Sequence, residues 1–370
     1  MTLTLEHISK NVGADTHLYD LSLNLEPGLN VLLGPTQAGK TSIMRIMAGL
    51  DKPTLGRLLI DGRDMTGVAV QKRSVAFVYQ QFVNYPSFTV FDNIASPLRL
   101  KGSSQDEIKQ QVQSVAEMMH IDHLLDRLPA ALSGGQQQRT AIARALVKQA
   151  DLLLLDEPLV NLDYKLREEL RAEMLEIFTR RNSVVVYATT EPLEALMLGG
   201  VTSVMDAGRL LQTGSTLEVY HRPLNVRVAE VFSDPPMNLI PAQVQNGSNG
   251  LSAKLSSGIE FSLPEHMRLL APGAYKFGIR ANHAKLTPSG SSINLPAKVE
   301  LADISGSETY VHASSHDLRM VVQLTGVHSF GLHQEITVAL EPSRLFAFDG
   351  GGVLQASPNR NSSVPAKVVA

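Results

Sequence analysis

The sequence of 370 residues contains no cysteine. Disulfide bridges, thiolate metal sites and cysteine nucleophiles are therefore all excluded, and the composition is compatible with a reducing compartment. An excess of charge of one sign is also missing, because 33 basic and 36 acidic side chains leave a formal net charge of −3. A field of that size does not favour nucleic acid as a partner.

Long hydrophobic runs are missing as well. No apolar stretch reaches the length that crosses a bilayer, and the N-terminal letters MTLTLEHISKNVG alternate polar and apolar residues, so we expect no secretory signal. If a protein with this pattern works at a membrane, it must dock on an embedded partner. Its length exceeds what one hydrophobic core usually supports, so we expect two domains.

Strand-like and helix-like patterns alternate over residues 1–235, which is typical of an α/β domain with a parallel or mixed sheet covered on both faces. A helical insertion is expected over about 84–150. Within it, Ser104 and Glu107 form the pattern of a capping box at the start of an amphipathic helix.

After Ala242 the pattern changes to short β-favouring stretches broken by glycine, proline and serine. We expect residues 236–355 to form an all-β domain of one or two small barrels. The polar, proline-containing residues 356–370 are expected to form a flexible tail.

The letters GPTQAGKT stand between the apolar strand LNVLLG and the helical stretch KTSIMRIMAGL, the context that a phosphate loop requires. Backbone amides and the positive helix end would hold triphosphate oxygens, while Lys40 reaches the β and γ phosphates and Thr41 binds Mg²⁺. The predicted ATP-binding loop comprises Gly34, Pro35, Thr36, Gln37, Ala38, Gly39, Lys40, Thr41 and Ser42.

A second motif, LLLLDEP, predicts a buried strand that ends in two carboxylates. Asp156 is predicted to join the Mg²⁺ shell and Glu157 to act on the attacking water. An isolated pair of this kind is often a solvated turn, but a phosphate loop in the same chain favours the catalytic interpretation.

A third motif, LSGGQQQR, places Ser133, Gly134, Gly135 and Gln136 at the start of a helix. This is a second anion-binding helix end. Because one nucleotide has one triphosphate, the motif favours binding to a nucleotide held by another chain. The alternative is a serine N-cap followed by flexible glycines.

These motifs, with VYQQFVNYPSFTVFDNI and NLD in the same order, resemble the ATP-binding subunits of ABC transporters. The stretches VMDAGRLLQTGSTLEVYHRPLN, FGIRANH and LFAFD resemble those of carbohydrate and polyol importers. The resemblance implies an α/β fold, with a RecA-like P-loop nucleotide-binding domain and a helical subdomain, followed by a small all-β domain like an OB barrel. It also implies two ATP and Mg²⁺ sites sandwiched between two subunits.

The resemblance also implies roles for single residues. Gln80 matches the glutamine that touches Mg²⁺ and leads to the permease groove, and Asp163 matches the aspartate of a loop that crosses the dimer interface. The segment QFVNYPSFTVF would border the groove for a transmembrane permease, although its aromatics could equally be core packing. The expected location is the cytoplasmic face of the inner membrane, with a solute-binding protein as an indirect partner.

Three residues depart from the family pattern. Thr190 occupies the position of the switch histidine that contacts the γ-phosphate, Val12 that of an aromatic that stacks on adenine, and Gln37 that of a glycine. His17 or Tyr19 could replace the missing stacking ring. At Gln37, a backbone with positive φ would cost about 1 kcal/mol.

All three departures surround the nucleotide of the chain itself, whereas the motif at Ser133 is intact. We therefore expect a heterodimer with a second, different ATPase, in which this chain carries the weaker ATP site and takes part in uptake of a sugar or a polyol such as glycerol. The alternatives are a homodimer with two slow sites and a subunit that binds ATP without hydrolysing it. A soluble ABC protein acting on ribosomes or DNA is disfavoured, and the β domain could be regulatory, dimerising or protective.

Overall fold

The computed structural model describes residues 1–160, 162–180, 182–247 and 250–358. The chain divides into two compact units, the first comprising Met1–Ser215 and the second beginning at Thr216. In the part of the chain that is described, no helix combines the length and apolar character needed to span a bilayer.

The first unit is an α/β assembly. Its strands are β1 (Leu3–Val12), β2 (Asp15–Leu25), β3 (Gly28–Leu33), β4 (Leu55–Ile60), β5 (Arg63–Asp64), β6 (Val75–Val78), β7 (Leu152–Asp156), β8 (Val184–Thr189), β9 (Val201–Asp206) and β10 (Arg209–Ser215). Its helices are α1 (Lys40–Ala48), α2 (Val90–Lys101), α3 (Gln105–Met118), α4 (Gly134–Val147), α5 (Tyr164–Arg180) and α6 (Pro192–Leu198).

The central sheet of this unit has the strand order β10-β9-β3-β8-β7-β6. All neighbours pair in parallel except β9 and β10. Strands β7 and β8 are buried along their whole length, which explains their continuous apolar sequences. Because parallel strands end at one edge of the sheet, the segments that follow β3, β7 and β8 meet there. A smaller antiparallel sheet, β2-β1-β4-β5, completes the unit.

The predicted helical insertion contains α2, α3 and α4. The predicted capping box of α3 is present, because the Ser104 amide donates to Glu107 at 2.9 Å and the Glu107 amide donates to Ser104 Oγ at 3.3 Å. Ile108 and Val112 of α3 are buried, as the spacing of apolar residues predicts.

The second unit is mainly β-structure. Its strands are β11 (Asn238–Gly247), β12 (Gly250–Leu255), β13 (Glu260–Ser262), β14 (Gly273–Ile279), β15 (Ala284–Lys285), β16 (Ile293–Ile304), β17 (Glu308–Ser315), β18 (Leu318–Thr325), β19 (Glu335–Leu340), β20 (Phe346–Asp349) and β21 (Leu354–Ala356). Its helices are α7 (Thr216–His221) and α8 (Val226–Val231).

Two antiparallel sheets, β13-β12-β11-β14-β20-β21 and β15-β19-β16-β17-β18, enclose the core of the second unit. Side chains of both sheets share one hydrophobic cluster, including Ile240, Phe277, Val311 and Val338. The barrel-like, all-β character expected of this region is confirmed.

The second unit begins before residue 235, where the sequence pattern places the domain boundary. The reason lies in α8, whose Ala229 packs in a cluster with Phe346 and Phe348 of β20. At the other end, the predicted tail of residues 356–370 begins inside β21, because Ala356 pairs with Ala347. Residues 359–370 of that tail lie outside the described part of the chain.

Candidate active site

A cleft of about 750 Å³ opens at the edge of the central sheet where the parallel strands end. Its walls include the loop of residues 36–42 after β3, Gln80 after β6 and Glu157 after β7, together with residues of β2 and the turn Ala207–Gly208 after β9. The structure therefore brings most of the predicted phosphate loop together with Gln80 and Glu157.

The phosphate loop has the backbone geometry that its glycines suggest. A Cβ atom at Gly34 would lie 2.3 Å from the carbonyl oxygen of Met205, so only glycine fits there. Gly39 has φ 98° immediately before α1. Gln37 adopts φ 67°, in the left-handed region that costs a residue with a side chain about 1–2 kcal/mol. The sequence predicts strain at Gln37 if its backbone has a positive φ, and the observed φ is positive.

Lys40 is buried at the centre of the loop. Its Nζ donates to the carbonyl oxygens of Gly34 at 2.7 Å and Pro35 at 3.0 Å, and lies 3.5 Å from Oε1 of Glu157. Burial lowers the pKa of Lys40, while the negative charges of Glu157 and Asp156 oppose that shift. The ammonium group is thus positioned by the loop and by the second motif together.

The two carboxylates of the second motif contact different partners. Asp156 accepts a hydrogen bond from the Thr41 hydroxyl at 2.6 Å, and burial raises the pKa of Asp156 while that bond opposes the shift. Glu157 accepts a hydrogen bond from Gln80 at 3.0 Å. Its backbone has φ 48°, and its amide donates to the carbonyl of Ala188 on β8 at 3.0 Å. Left-handed backbone at a non-glycine residue is concentrated at functional sites.

Known proteins are similar to this chain over most of its length. The family described as ABC transporter matches residues 18–160. The maltose/maltodextrin import ATP-binding protein MalK of Yersinia pestis is 36% identical over 362 residues, which cover 94% of this chain and 96% of the relative. This chain belongs to the ATP-binding proteins of ABC transporters.

Two further relatives are similar to this ABC ATPase. The sn-glycerol-3-phosphate import ATP-binding protein UgpC of Psychromonas ingrahamii is 34% identical over 358 residues, which cover 94% of each chain. The ATP-binding cassette MJ0796, solved as a dimer bound to ADP and Pi in a post-hydrolysis state, superposes with a TM-score of 0.54 at 27% identity. That match covers 58% of this chain and 98% of MJ0796. The family couples ATP hydrolysis to transport.

The donors beside the phosphate loop fit the Mg²⁺ that the family uses with ATP. Thr41, Asp156 and Gln80 offer hydroxyl, carboxylate and amide oxygens, which are the hard donors that Mg²⁺ prefers. Among the described residues, no group of three or more His, Cys, Asp and Glu side chains could hold a metal ion alone. A site with few protein donors suits Mg²⁺, because this ion keeps several waters and binds substrate phosphates.

Helix α4, the signature helix, begins within the third sequence motif, LSGGQQQR, and starts away from the cleft. Ser133 and Gln136 form a capping box, with the Ser133 amide donating to Gln136 at 2.9 Å and the Gln136 amide donating to Ser133 Oγ at 3.4 Å. Ser133 and Gly134 are exposed. A Cβ atom on Gly135 would approach Leu162 to 3.1 Å, so the helix start packs closely against the segment after β7.

The predicted interface residue Asp163 is exposed at the start of α5 and accepts a hydrogen bond from the Leu166 amide at 3.0 Å. Burial lowers the pKa of Arg139 on α4, and the charge of Asp163 opposes that shift. Asn161, the first letter of NLD, lies outside the described residues. Neither Asp163 nor the start of α4 lines the cleft formed by the described residues, so this chain alone does not unite them with its phosphate loop.

Thr190 follows β8 and is half-buried. It does not line the cleft either, among the residues that the structure describes. Its neighbours are held firmly, since the Thr189 hydroxyl donates to buried Glu194 and Glu191 accepts two hydrogen bonds from Arg167, at 3.0 and 3.1 Å.

Val12 lies at the end of β1, next to the turn into β2, and is 51% exposed. In the described structure it is not part of the cleft wall, whereas His17 and Tyr19 are. Sequence reasoning missed Ala207 and Gly208, which also line the cleft. The available signal was their position directly after β9, at the edge of the sheet where the other motifs end.

Proposed function

We propose that the chain is the ATP-hydrolysing subunit of an importer for a sugar or a polyol such as glycerol. It would sit peripherally on the cytoplasmic face of the inner membrane, bind transmembrane permease subunits and serve a separate solute-binding protein. We assign ATP chemistry to the predicted ATP-binding domain of residues 1–235, whose last part, from Thr216 onward, belongs to the second compact unit, and we treat residues 236–355 as a separate regulatory domain.

The names of the relatives support the substrate class. One relative is an ATP-binding protein of maltose/maltodextrin import and another of sn-glycerol-3-phosphate import. Both substrates are polyhydroxylated, and both matches run through the second unit as well as the first, since they cover 94% of this chain.

The proposed chemistry assigns each residue a task. Lys40 neutralises charge on the β and γ phosphates, because its buried ammonium group lies inside the loop that would hold them. Asp156 and Thr41 would hold Mg²⁺, which would neutralise negative charge on the phosphates when it is bound. Glu157 orients the attacking water, and Gln80, bonded to it at 3.0 Å, links that carboxylate to the permease side.

We further propose that the working pair is a heterodimer and that this chain holds the weaker site. The observation that carries this is the contrast between Thr190 and the intact signature helix start at Ser133. Threonine carries no positive charge, so its hydroxyl stabilises developing phosphate charge less than a histidine would. The exposed capping box of α4 remains available to the nucleotide of another subunit.

The test compares two variants in the purified complex with its permease and partner ATPase. Ser133→Ala is expected to lower ATP turnover more than Glu157→Gln. The reason is that Ser133 would complete the ATP site of the partner ATPase, which has the switch histidine, whereas Glu157 acts in the weaker site of this chain. The matched control is Ser104→Ala, which removes the equivalent capping serine from α3 and should leave turnover unchanged. Equal losses from Ser133→Ala and Glu157→Gln would rule out the asymmetry.

The purified chain alone supplies the second measurement. We expect slow ATP hydrolysis that accelerates when the partner ATPase is added. Rapid hydrolysis by the lone chain would exclude the heterodimer proposal. Full activity of the complex with Glu157→Gln would instead support the alternative of a subunit that binds ATP without hydrolysing it.

A further inference from the structure

The wall of the cleft beside the phosphate loop is formed by β2. Along this strand Leu18 is buried, while His17 and Tyr19 on either side of it face the cleft. This is the alternation of a strand with one covered face. Leu18 also packs beneath the loop, because a Cβ atom on Gly39 would lie 2.8 Å from its Cδ2. The strand therefore holds His17 and Tyr19 in a fixed position relative to the phosphate loop.

Tyr19 is anchored from two directions. Its amide donates to the carbonyl of Gly208 at 2.9 Å, and a Cβ atom on Gly208 would lie 3.1 Å from its ring. The guanidinium carbon of Arg209 lies over the ring, 4.4 Å from the centroid. Arg209 is not part of the cleft wall in the described structure, whereas Tyr19 is, and the side chain of Tyr19 remains 39% exposed. A cation–π contact thus supports the ring and leaves it accessible from the cleft.

We infer that the ring of Tyr19 stacks on the adenine of ATP. In the family pattern this role belongs to an aromatic residue at the position that Val12 occupies here. The inference rests on the proposed function, because it requires ATP in this cleft. Val12 is aliphatic, 51% exposed and outside the cleft wall formed by the described residues. A phenol ring offers a flat face to a base, and such stacking is tolerant of base identity because every base has a π-face.

The test measures binding of two ligands to the full-length chain, MgATP and inorganic tripolyphosphate. Tyr19→Ala is expected to weaken MgATP by about 5- to 150-fold, the range for loss of one base–aromatic stack. Tripolyphosphate has no base, so its affinity should stay within about twofold of the wild type. Tyr19→Phe should restore MgATP binding, since it keeps the ring.

Val12→Ala is the control, because Val12 lies outside the cleft wall formed by the described residues, and it is expected to bind MgATP like the wild type. His17→Ala tests the other ring that faces the cleft. Unchanged MgATP affinity in Tyr19→Ala would overturn the inference, as would a loss confined to His17→Ala or Val12→Ala. An equal loss for MgATP and tripolyphosphate in Tyr19→Ala would also overturn it, because it would indicate a structural role. If the wild type bound neither ligand, the proposed function itself would fail.

The absence of tryptophan from the chain permits a direct spectroscopic readout. In Tyr19→Trp the new indole is the sole tryptophan, and its emission should change on addition of MgATP but not of tripolyphosphate. In Val12→Trp, emission should respond to neither ligand. A response in Val12→Trp together with silence in Tyr19→Trp would place the base against residue 12 and overturn the inference.

Discussion

Replacing Glu194 with glutamine tests how the segment around Thr190 is held. Glu194 is buried, and its carboxylate accepts hydrogen bonds from the Tyr187 hydroxyl at 2.7 Å and from the Thr189 hydroxyl. The Thr189 hydroxyl oxygen in turn accepts a hydrogen bond from the backbone amide of Glu191 at 3.0 Å. Residues on both sides of Thr190 therefore depend on this one carboxylate.

The expected cost follows from the hydrogen bonds. At acid pH the carboxyl is protonated but still has two oxygens that can accept, whereas glutamine at position 194 keeps one acceptor oxygen and replaces the other with an NH₂ donor, so one of the two hydroxyl groups loses its acceptor. A buried donor left unsatisfied costs about 1–3 kcal/mol. We expect Glu194→Gln to lower the free energy of unfolding by that amount at acid pH, and to lower ATP turnover because the segment around Thr190 loosens.

The effect should depend on pH with a defined sign. Burial raises the pKa of Glu194 above its ordinary value, and the hydrogen bonds from Thr189 and Tyr187 oppose the shift. The folded state therefore binds a proton more tightly than the unfolded state. The stability contributed by this difference is fully present below the unfolded pKa, near 4.5, and is lost as pH rises through the folded pKa. Glutamine does not titrate, so the deficit of the variant should shrink as pH rises.

Urea denaturation followed by circular dichroism at pH 5 and pH 8 measures both quantities. Glu26→Gln, at an exposed position of the first unit, is the control and should match the wild type at both values. Wild-type stability of Glu194→Gln at pH 5 would show that the two hydroxyl groups find other acceptors. A deficit that grows between pH 5 and pH 8 would refute the assigned direction of the pKa shift.

Three other substitutions test separate parts of the molecule. Thr41→Ala removes the hydroxyl 2.6 Å from Asp156, so ATP affinity measured by calorimetry should fall at least about tenfold with Mg²⁺ and change little without it; equal losses would exclude a role in metal binding. Gln37→Gly relieves φ 67° at the cost of glycine entropy, so thermal denaturation should show a gain of about 0–1 kcal/mol, and a clear loss would mean that the side chain contributes contacts. Arg280→Met leaves the carbonyls of Phe232 and Tyr220 without their guanidinium donor and should destabilise the second unit by about 2–4 kcal/mol, whereas unchanged stability in urea would show that water replaces the donor.

The local geometry of the predicted phosphate loop could be expected from the sequence because it depends on neighbouring residues. Gly34, Lys40 and Thr41 belong to one loop and one helix start, whose geometry follows from residue type and spacing. The capping boxes at Ser104 and Ser133 are local for the same reason, and both are present. The continuous apolar run of β7 likewise predicts a strand buried on both faces, and β7 is buried along its whole length.

Other features depend on segments that meet only in the folded chain. The turn at Gly208 reaches the cleft because β9 pairs with β3, and no periodicity in the sequence records that pairing. The pairing of Glu194 with Tyr187 needs the return of α6 onto β8, and the early start of the second unit needs α8 to pack on β20. Each is a contact between separate elements, made by hydrogen bonds or by packing, and a linear pattern does not encode which elements meet.

By itself, the sequence predicted a loop for a triphosphate and a helix start for the nucleotide of a second subunit, and it has a threonine at position 190, where the family pattern has the switch histidine. Only the tertiary structure decided that Tyr19 lines the cleft and that, among the described residues, Val12 does not. The physical reason is that hydrogen bonds within one loop or helix are set by residues a few positions apart, whereas the wall of a cleft is assembled from strands that pair across the sheet.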